Sequence, residues 1–252
     1  MHYRLLLFVV FIHVTTMAYC HIGGLSQMNN EGEVAQNEPT GLDHYAVESY
    51  QTQSEGSITD IEGNTYRTVI LGTQVWMAEN LRTTRFNDGT PIPLVTDDTV
   101  WSLLNTPAYT WYDNDSVRYG ISFGALYNWF AINTGKLCPA GWRVPTDADW
   151  TTLTDYLGGA RVAGGKLKTT GTTQWRNPNL GATNEVGFYA LPAGTRYGHG
   201  AFNYLSNYGL WWTATQYDAH EAWFRDVSSY DAIISRNYDS KRDGLSVRCI
   251  KR

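Results

Sequence analysis

The chain has 252 residues and carries 19 Lys and Arg against 24 Asp and Glu, a formal net charge of −5. Past residue 57 the acids and bases number eighteen each, so this part has no basic field to attract phosphate backbones, which argues against nucleic-acid binding. Ten Trp and seventeen Tyr supply large, rigid side chains, most of which must be core.

The first twenty residues read as an export signal. Arg4 precedes an apolar stretch over 5–14 that only His13 interrupts, and Thr16 and Ala18 fit the −3 and −1 positions of a cleavage site. The run is shorter than the roughly 20 residues of a membrane span, so no transmembrane segment is expected after cleavage. A retained short anchor is the other reading. Cys20 is a candidate lipid anchor, although the bulky Tyr19 departs from the small residue such signals carry there. Residues 21–57 hold six acids, no Lys, Arg or Trp, and much Gly, Asn, Gln and Ser, which predicts a flexible acidic linker. One domain is then expected over 58–252.

Within it, Tyr66, Thr68 and Ile70 alternate with Arg67, Val69 and Leu71, and Gly72-Thr73 connects them to Gln74-Val75-Trp76-Met77, a hairpin pattern. Residues 83–120 are polar, with Pro91, Pro93 and Pro107, and read as long loops. Leu126, Trp129 and Phe130 share a face of a helix predicted over 123–133 and ended by Gly135. A second helix starts at Thr146, with Asp149 completing its cap; Trp150, Leu153 and Leu157 form its apolar stripe, and Gly158-Gly159 ends it. A Gly-, Thr- and Asn-rich stretch runs to 184, and strands follow at 187–191, 210–215, 222–227, 231–236 and 245–250. Two helices followed by several short antiparallel strands, without βαβ alternation, predict an α+β domain. Trp211 and Trp212 are adjacent in a strand and so point to opposite faces; one is core, and the other lines a pocket or packs under a loop.

Once Cys20 is removed or acylated, Cys138 and Cys249 remain as an even pair in an oxidising compartment. A bridge would close a loop of about 110 residues, worth at most ~4.7 kcal/mol in the chain-entropy account. Two buried free thiols are the competing reading. A metal site has no further cysteine or nearby histidine to complete it.

Six blocks resemble the Fibrobacter succinogenes major paralogous domain in that family's order. They are DIEGNTY at 60–66, QVWMAENL at 74–81, YG at 119–120 with LYNW at 126–129, CPAGW at 138–142, GFYALPAGTR at 187–196 and SVRC at 246–249. The resemblance spans roughly 60–252 and implies an exported bacterial protein, often surface-attached. It also looks akin to the C-type-lectin-like fold shared with formylglycine-generating enzymes. In that fold a helix-proximal cysteine is commonly bridged to one in the last strand, which suits Cys138 and Cys249.

The chemistry of such relatives does not carry over. Formylglycine-generating enzymes use paired active-site cysteines, iron-dependent oxidases of the fold use three histidines, and the domain has only His199 and His220. The Glu-Pro-Asn, Gln-Pro-Asp and Trp-Asn-Asp strings of calcium-dependent lectins are missing, and Arg176-Asn177-Pro178-Asn179 matches the first only superficially. Asp218, His220 and Glu221 fit a solvated turn better than a metal or acid–base site. Asp113, Asn114 and Asp115 lack the alternating ligands and bidentate Glu of a calcium loop. No catalytic residue, metal or cofactor is therefore expected.

What remains is a binding surface. Trp175, Arg196, Tyr197, His199, Asn203, Tyr204, Asn207 and Tyr208 are interleaved with Gly and Asn, in the interval that the lectin-like fold uses for ligands. Amphipathic rings and amides of this kind stack on and hydrogen-bond a carbohydrate or a protein ligand; buried loop-anchoring aromatics explain the same residues without one. The expectation is a non-catalytic binding or adhesion module. A metal-dependent or oxidative enzyme and a structural cell-surface component are the alternatives.

Overall fold

A computed structural model describes residues 54–252, and the signal, the lipid-anchor candidate Cys20 and nearly all of the linker lie outside them. The domain opens with β1 (Ser54–Thr59), β2 (Thr65–Leu71) and β3 (Gln74–Met77). β1 pairs antiparallel with β2, with Ser57 opposite Arg67. Residues 54–57, expected to end the linker, are therefore strand. Their polarity reflects an edge position whose backbone bonds a single neighbour. The 65–77 hairpin forms as expected, with Ile70 opposite Val75.

Between the hairpin and residue 143 come α1 (Asp98–Ser102), β4 (Tyr109–Thr110), α2 (Ser116–Phe123), β5 (Leu126–Tyr127), α3 (Trp129–Ile132) and β6 (Trp142–Arg143). The helix expected over 123–133 does not form. Gly124 adopts φ +77°, and a Cβ there would stand 2.7 Å from Leu81 O, so the chain turns sharply and Leu126 and Tyr127 become strand. A single turn survives at α3, capped by Asn128. The polar stretch before Gly124 hides α2 instead, whose Asp115 cap accepts from Arg118 N at 2.9 Å.

The second expected helix is α4 (Asp147–Tyr156). Thr146 and Asp149 form a reciprocal capping box, and Asp149 also chelates the Arg143 guanidinium. The next helix, α5 (Ala160–Leu167), was not anticipated. Its cap is Gly159 with no side-chain bond, and tertiary packing, not propensity, holds it. A Cβ on Gly164 would lie 2.3 Å from Ile233 O, and one on Gly165 2.3 Å from Gly181 O.

The later chain adds β7 (Thr195–Arg196), β8 (Phe202–Asn203), β9 (Tyr208–Gln216), β10 (Glu221–Ser228), β11 (Ile234–Ser240) and β12 (Ile250–Lys251). Expected strands at 210–215 and 222–227 are present and longer. The 231–236 strand begins at Ile234 and runs on to Ser240, whereas 187–191 contributes only the Lys168–Ala190 bridge. Within 245–250 only Leu245 and Ser246 form single bridges, and Ile250 alone of that range lies in β12. The strands make an antiparallel sheet in the order β1-β2-β3-β12-β6 and a second in the order β11-β10-β9, with two-stranded pairs β4-β5 and β7-β8. The domain is thus a mixed α and β fold with five helices and several antiparallel sheets, not the two helices expected.

Trp211 and Trp212 both turn out to be core, on opposite faces of β9. Trp212 packs in a cluster with Tyr66, Tyr127 and Phe224, and Trp211 in another with Trp76, Trp150 and Phe188. Trp76 and Trp150 lie with ring centroids 4.7 Å apart. Cys138, just before β6, is bonded to Cys249, just before β12, with a Cα–Cα distance of 5.9 Å. The bridge fastens two neighbouring strands of the larger sheet and settles the choice between bridge and free thiols. Long irregular segments are held by buried cations. Lys168 Nζ donates to the carbonyls of Leu180, Ser228 and Asp231 at 2.6–2.8 Å. Arg248 donates to Asn80 Oδ1 and to the carbonyls of Phe188 and Tyr189.

Candidate functional site

In a strand, side chains alternate between faces. In β10 this places Phe224 and Asp226 on one face; the register sets Asp226 opposite Leu210 and Phe224 opposite Asn237. Asp239 lies two residues on from Asn237 and shares its face, as Tyr208 does with Leu210. This face of the β9-β10-β11 sheet floors a cavity of about 250 Å³. Tyr197, at the end of β7, and Tyr204, at the end of β8, form one wall; Asp243 and Leu245 form the other.

The base of the β7-β8 hairpin is closed by close backbone approach. At Gly194 (φ +67°) a Cβ would stand 2.4 Å from Asn203 O and 2.7 Å from Leu205 N. Tyr204 itself takes φ +65°, a left-handed conformation that costs a side-chain-bearing residue roughly 1–2 kcal/mol. Strain of that kind collects where a side chain is held for use. The Tyr204 ring is 37 % exposed. It stands 6.1 Å from the Tyr197 ring and 4.9 Å from that of Tyr208, and His199 stacks on the far side of Tyr197 at 5.3 Å. Tyr230 continues the row beyond Tyr208 at 6.3 Å. Five rings therefore follow one another in contact, and Tyr197, Tyr204 and Tyr208 among them line the cavity.

The polar side of the cavity is acidic. Asp243 is 3 % exposed and accepts Gly198 N–H at 2.7 Å. Burial, and after it the charge of Asp239, push its carboxyl up to about 8, so it holds a proton near neutral pH. Asp226 is raised as well, chiefly by burial, against the lowering effect of the Asn237 amide that it accepts at 2.8 Å. Burial and a hydrogen bond with Tyr204 raise the Tyr197 phenol. No Lys, Arg or His forms an ion pair with Asp226, Asp239 or Asp243 among the described residues.

Of the residues singled out from sequence, Tyr197, Tyr204 and Tyr208 meet at this cavity. His199 is exposed beside it and lines, with Asp243, a shallower depression on the outer side. Asn203 is exposed but outside the lining, its amide oxygen accepting from Tyr204 N–H. Two of the candidates are corrected. Trp175 is 1 % exposed, with Nε1 donating to Thr169 Oγ1 at 3.0 Å and Ala190 O at 3.2 Å, so it anchors its loop in the core. Arg196 is 0 % exposed; its guanidinium binds Val95 O, Thr96 O and Asp98 and sits between the Trp101 and Phe202 rings. Neither can reach a ligand.

The three carboxylates escaped the sequence reading, which weighed Asp218 with His220 and Glu221 instead. Those form an exposed turn, with Asp218 accepting from the N–H groups of His220 and Glu221. Asn114 and Asp115 serve as loop and helix-cap acceptors. The available signal was Asp226, an acid inside the apolar alternation of β10. Among the described residues no group of three or more His, Cys, Asp and Glu is placed to hold a metal ion, and no helix is long and apolar enough to cross a membrane.

No curated protein and no solved structure matches the chain. The Fibrobacter succinogenes major domain family matches it over residues 69–251, which takes in β3, the disulfide, every described helix and the whole cavity. The chain belongs to the Fibrobacter succinogenes major domain family.

Proposed function

We propose that this is an exported, non-catalytic binding or adhesion module of C-type-lectin-like fold that seats a polar group of a glycan or protein ligand in the Tyr197–Tyr204–Tyr208 cavity. One observation carries the reading: rings from the β7-β8 hairpin and from β9 converge on a single concavity whose other wall is hydrogen-bonding. Aromatic faces opposed to polar groups are what a small, specific binding site needs. The strained Tyr204 supports it, because a loop-anchoring ring would be buried, as Trp175 is. The Cys138–Cys249 bridge supports export, since such bonds persist in oxidising compartments. The alternative of thiol or histidine-based oxidative chemistry loses its residues: both domain cysteines are in the disulfide, and His199 and His220 are exposed on different turns.

Glycan and peptide arrays probed with the full chain test the proposal. Saturable binding that Tyr204→Ala weakens, at unchanged melting temperature, is the expected result. Absence of binding on both arrays, or ordered self-assembly of the chain alone, would favour the structural-component alternative.

A further inference from the structure

We propose that the group seated in the cavity is a protonated amine, an alkylammonium held between Asp226 and Asp239 with its methylenes against Tyr204 and Tyr208. This rests on the cavity being the binding site and names the chemistry it takes.

The first argument is charge balance. Three acidic side chains face one cavity, and the basic side chains around it are all turned elsewhere. Arg196 is spent on the 95–98 segment, Arg242 Nε donates to Leu104 O, and Lys241 Nζ donates to Asp218 O and Ala219 O. A buried carboxylate normally has a cationic or multiple hydrogen-bonding partner, because its desolvation is otherwise uncompensated. The second argument is an open acceptor. Asp226 lines the cavity and is 7 % exposed; its Oδ2 takes the Asn237 amide, and its Oδ1 meets no donor among the described residues. A neutral hydroxyl would supply a donor without charge; an ammonium supplies three donors and the missing positive charge. The third is the wall. Electron-rich tyrosine faces attract a cation and its adjoining methylenes. The volume, about eight waters at ~30 Å³ each, suits a short aliphatic amine.

The raised carboxyls add a linkage. Titratable groups facing Asp226 and Asp243 are Asp231 from the turn before β11, Asp239 from β11, Tyr197 and His199 from the β7-β8 hairpin, and Tyr204 and Tyr208 at the rim. The raised carboxyls in this set are those of Asp226 and Asp243. Binding a cation ionises the carboxyls, so protons are released and affinity rises with pH from 6 to 8.

The test is calorimetric titration of the full chain with butylammonium, n-butanol, methyl glucoside and an N-acetyl-lysine amide, each at pH 6 and 8. Butylammonium is expected to bind at least tenfold more tightly than n-butanol, more tightly at pH 8, and with proton release read from buffers of different ionisation enthalpy. Asp226→Asn, which keeps the shape and the Asn237 contact, should abolish that preference at unchanged melting temperature; Asp239→Asn gives the same reading should Asp226→Asn fail to fold. Lysine amide binding more tightly than butylammonium identifies a protein side chain as the source, and equal binding identifies a free amine; both support the proposal. Equal affinity for butylammonium and butanol overturns it. Methyl glucoside binding without amine binding also overturns it, while leaving the cavity as the ligand site. Failure of every probe, together with blank arrays, removes the binding reading itself.

Discussion

Asp243 and Asp239 both line the cavity, and burial, then the Asp239 charge, disfavour the ionised form of the Asp243 carboxyl. Asp243 is raised to about 8 from an ordinary 3.8. Between those values the folded chain holds a proton that the unfolded chain has lost. The contribution is therefore fully present below about pH 4 and disappears as pH rises through 8, with a slope of at most about 1.4 kcal/mol per pH unit. Asp243→Asn removes the titration. Urea unfolding at pH 5, 6, 7 and 8 should show the variant gaining on the wild type at each step, whereas a constant difference would mean Asp243 is ionised in the fold.

Reduction or Cys249→Ala should cost about 2–5 kcal/mol, the usual loss for a native bridge of this kind. The 111-residue separation closes a loop containing α4, α5 and the entire cavity, so the unfolded chain gains much freedom. Non-reducing peptide mapping should recover a Cys138–Cys249 cross-linked peptide, and thermal melting should show the loss.

Gly164→Ala probes the helix that local sequence did not announce. Alanine gains about 1 kcal/mol of helix propensity over glycine. Its methyl, however, would stand 2.3 Å from Ile233 O and 2.5 Å from Ile233 C, backbone atoms that cannot swing aside. Overpacking of this kind costs about 1–3 kcal/mol, so a net drop in melting temperature is expected. A rise would mean that α5 does not press on the start of β11.

Arg196→Met should separate scaffold from site. It removes hydrogen bonds from a buried charged group to Val95 O and Thr96 O, at about 1.5–3 kcal/mol each. The expected variant is clearly less stable, yet binds normally per folded molecule. A variant of wild-type stability that cannot bind would return Arg196 to the site.

What the sequence disclosed follows the range of its signals. The 65–77 hairpin, α4 and the central strands β9 and β10 announce themselves through alternation, a capping box and runs of β-branched and aromatic residues, all local. The bridge was legible as an even cysteine pair. α5 was not, because Ala-Arg-Val-Ala-Gly-Gly-Lys-Leu carries two glycines selected for contact with distant backbone. The expected 123–133 helix failed for a similar reason, since Gly124 answers to Leu81 O, far away in sequence. At the site, aromatic composition located Tyr197, Tyr204 and Tyr208 but could not tell an exposed ring from a loop anchor such as Trp175. Asp226, Asp239 and Asp243 converge only through the β9-β10-β11 register and the turn after it, which no spacing along the chain displays.

The most direct measurement is the dissociation constant of the tightest array ligand for wild type and Tyr204→Ala, taken alongside both melting curves. Loss of one stacking ring, worth about 0.5–1.5 kcal/mol beyond its burial, together with the lost contact area, predicts about tenfold weaker binding. Melting temperature should change little, because the ring is partly exposed and both side chains bear the same left-handed backbone. A destabilised variant with unchanged affinity per folded molecule would contradict the account and make Tyr204 a structural ring.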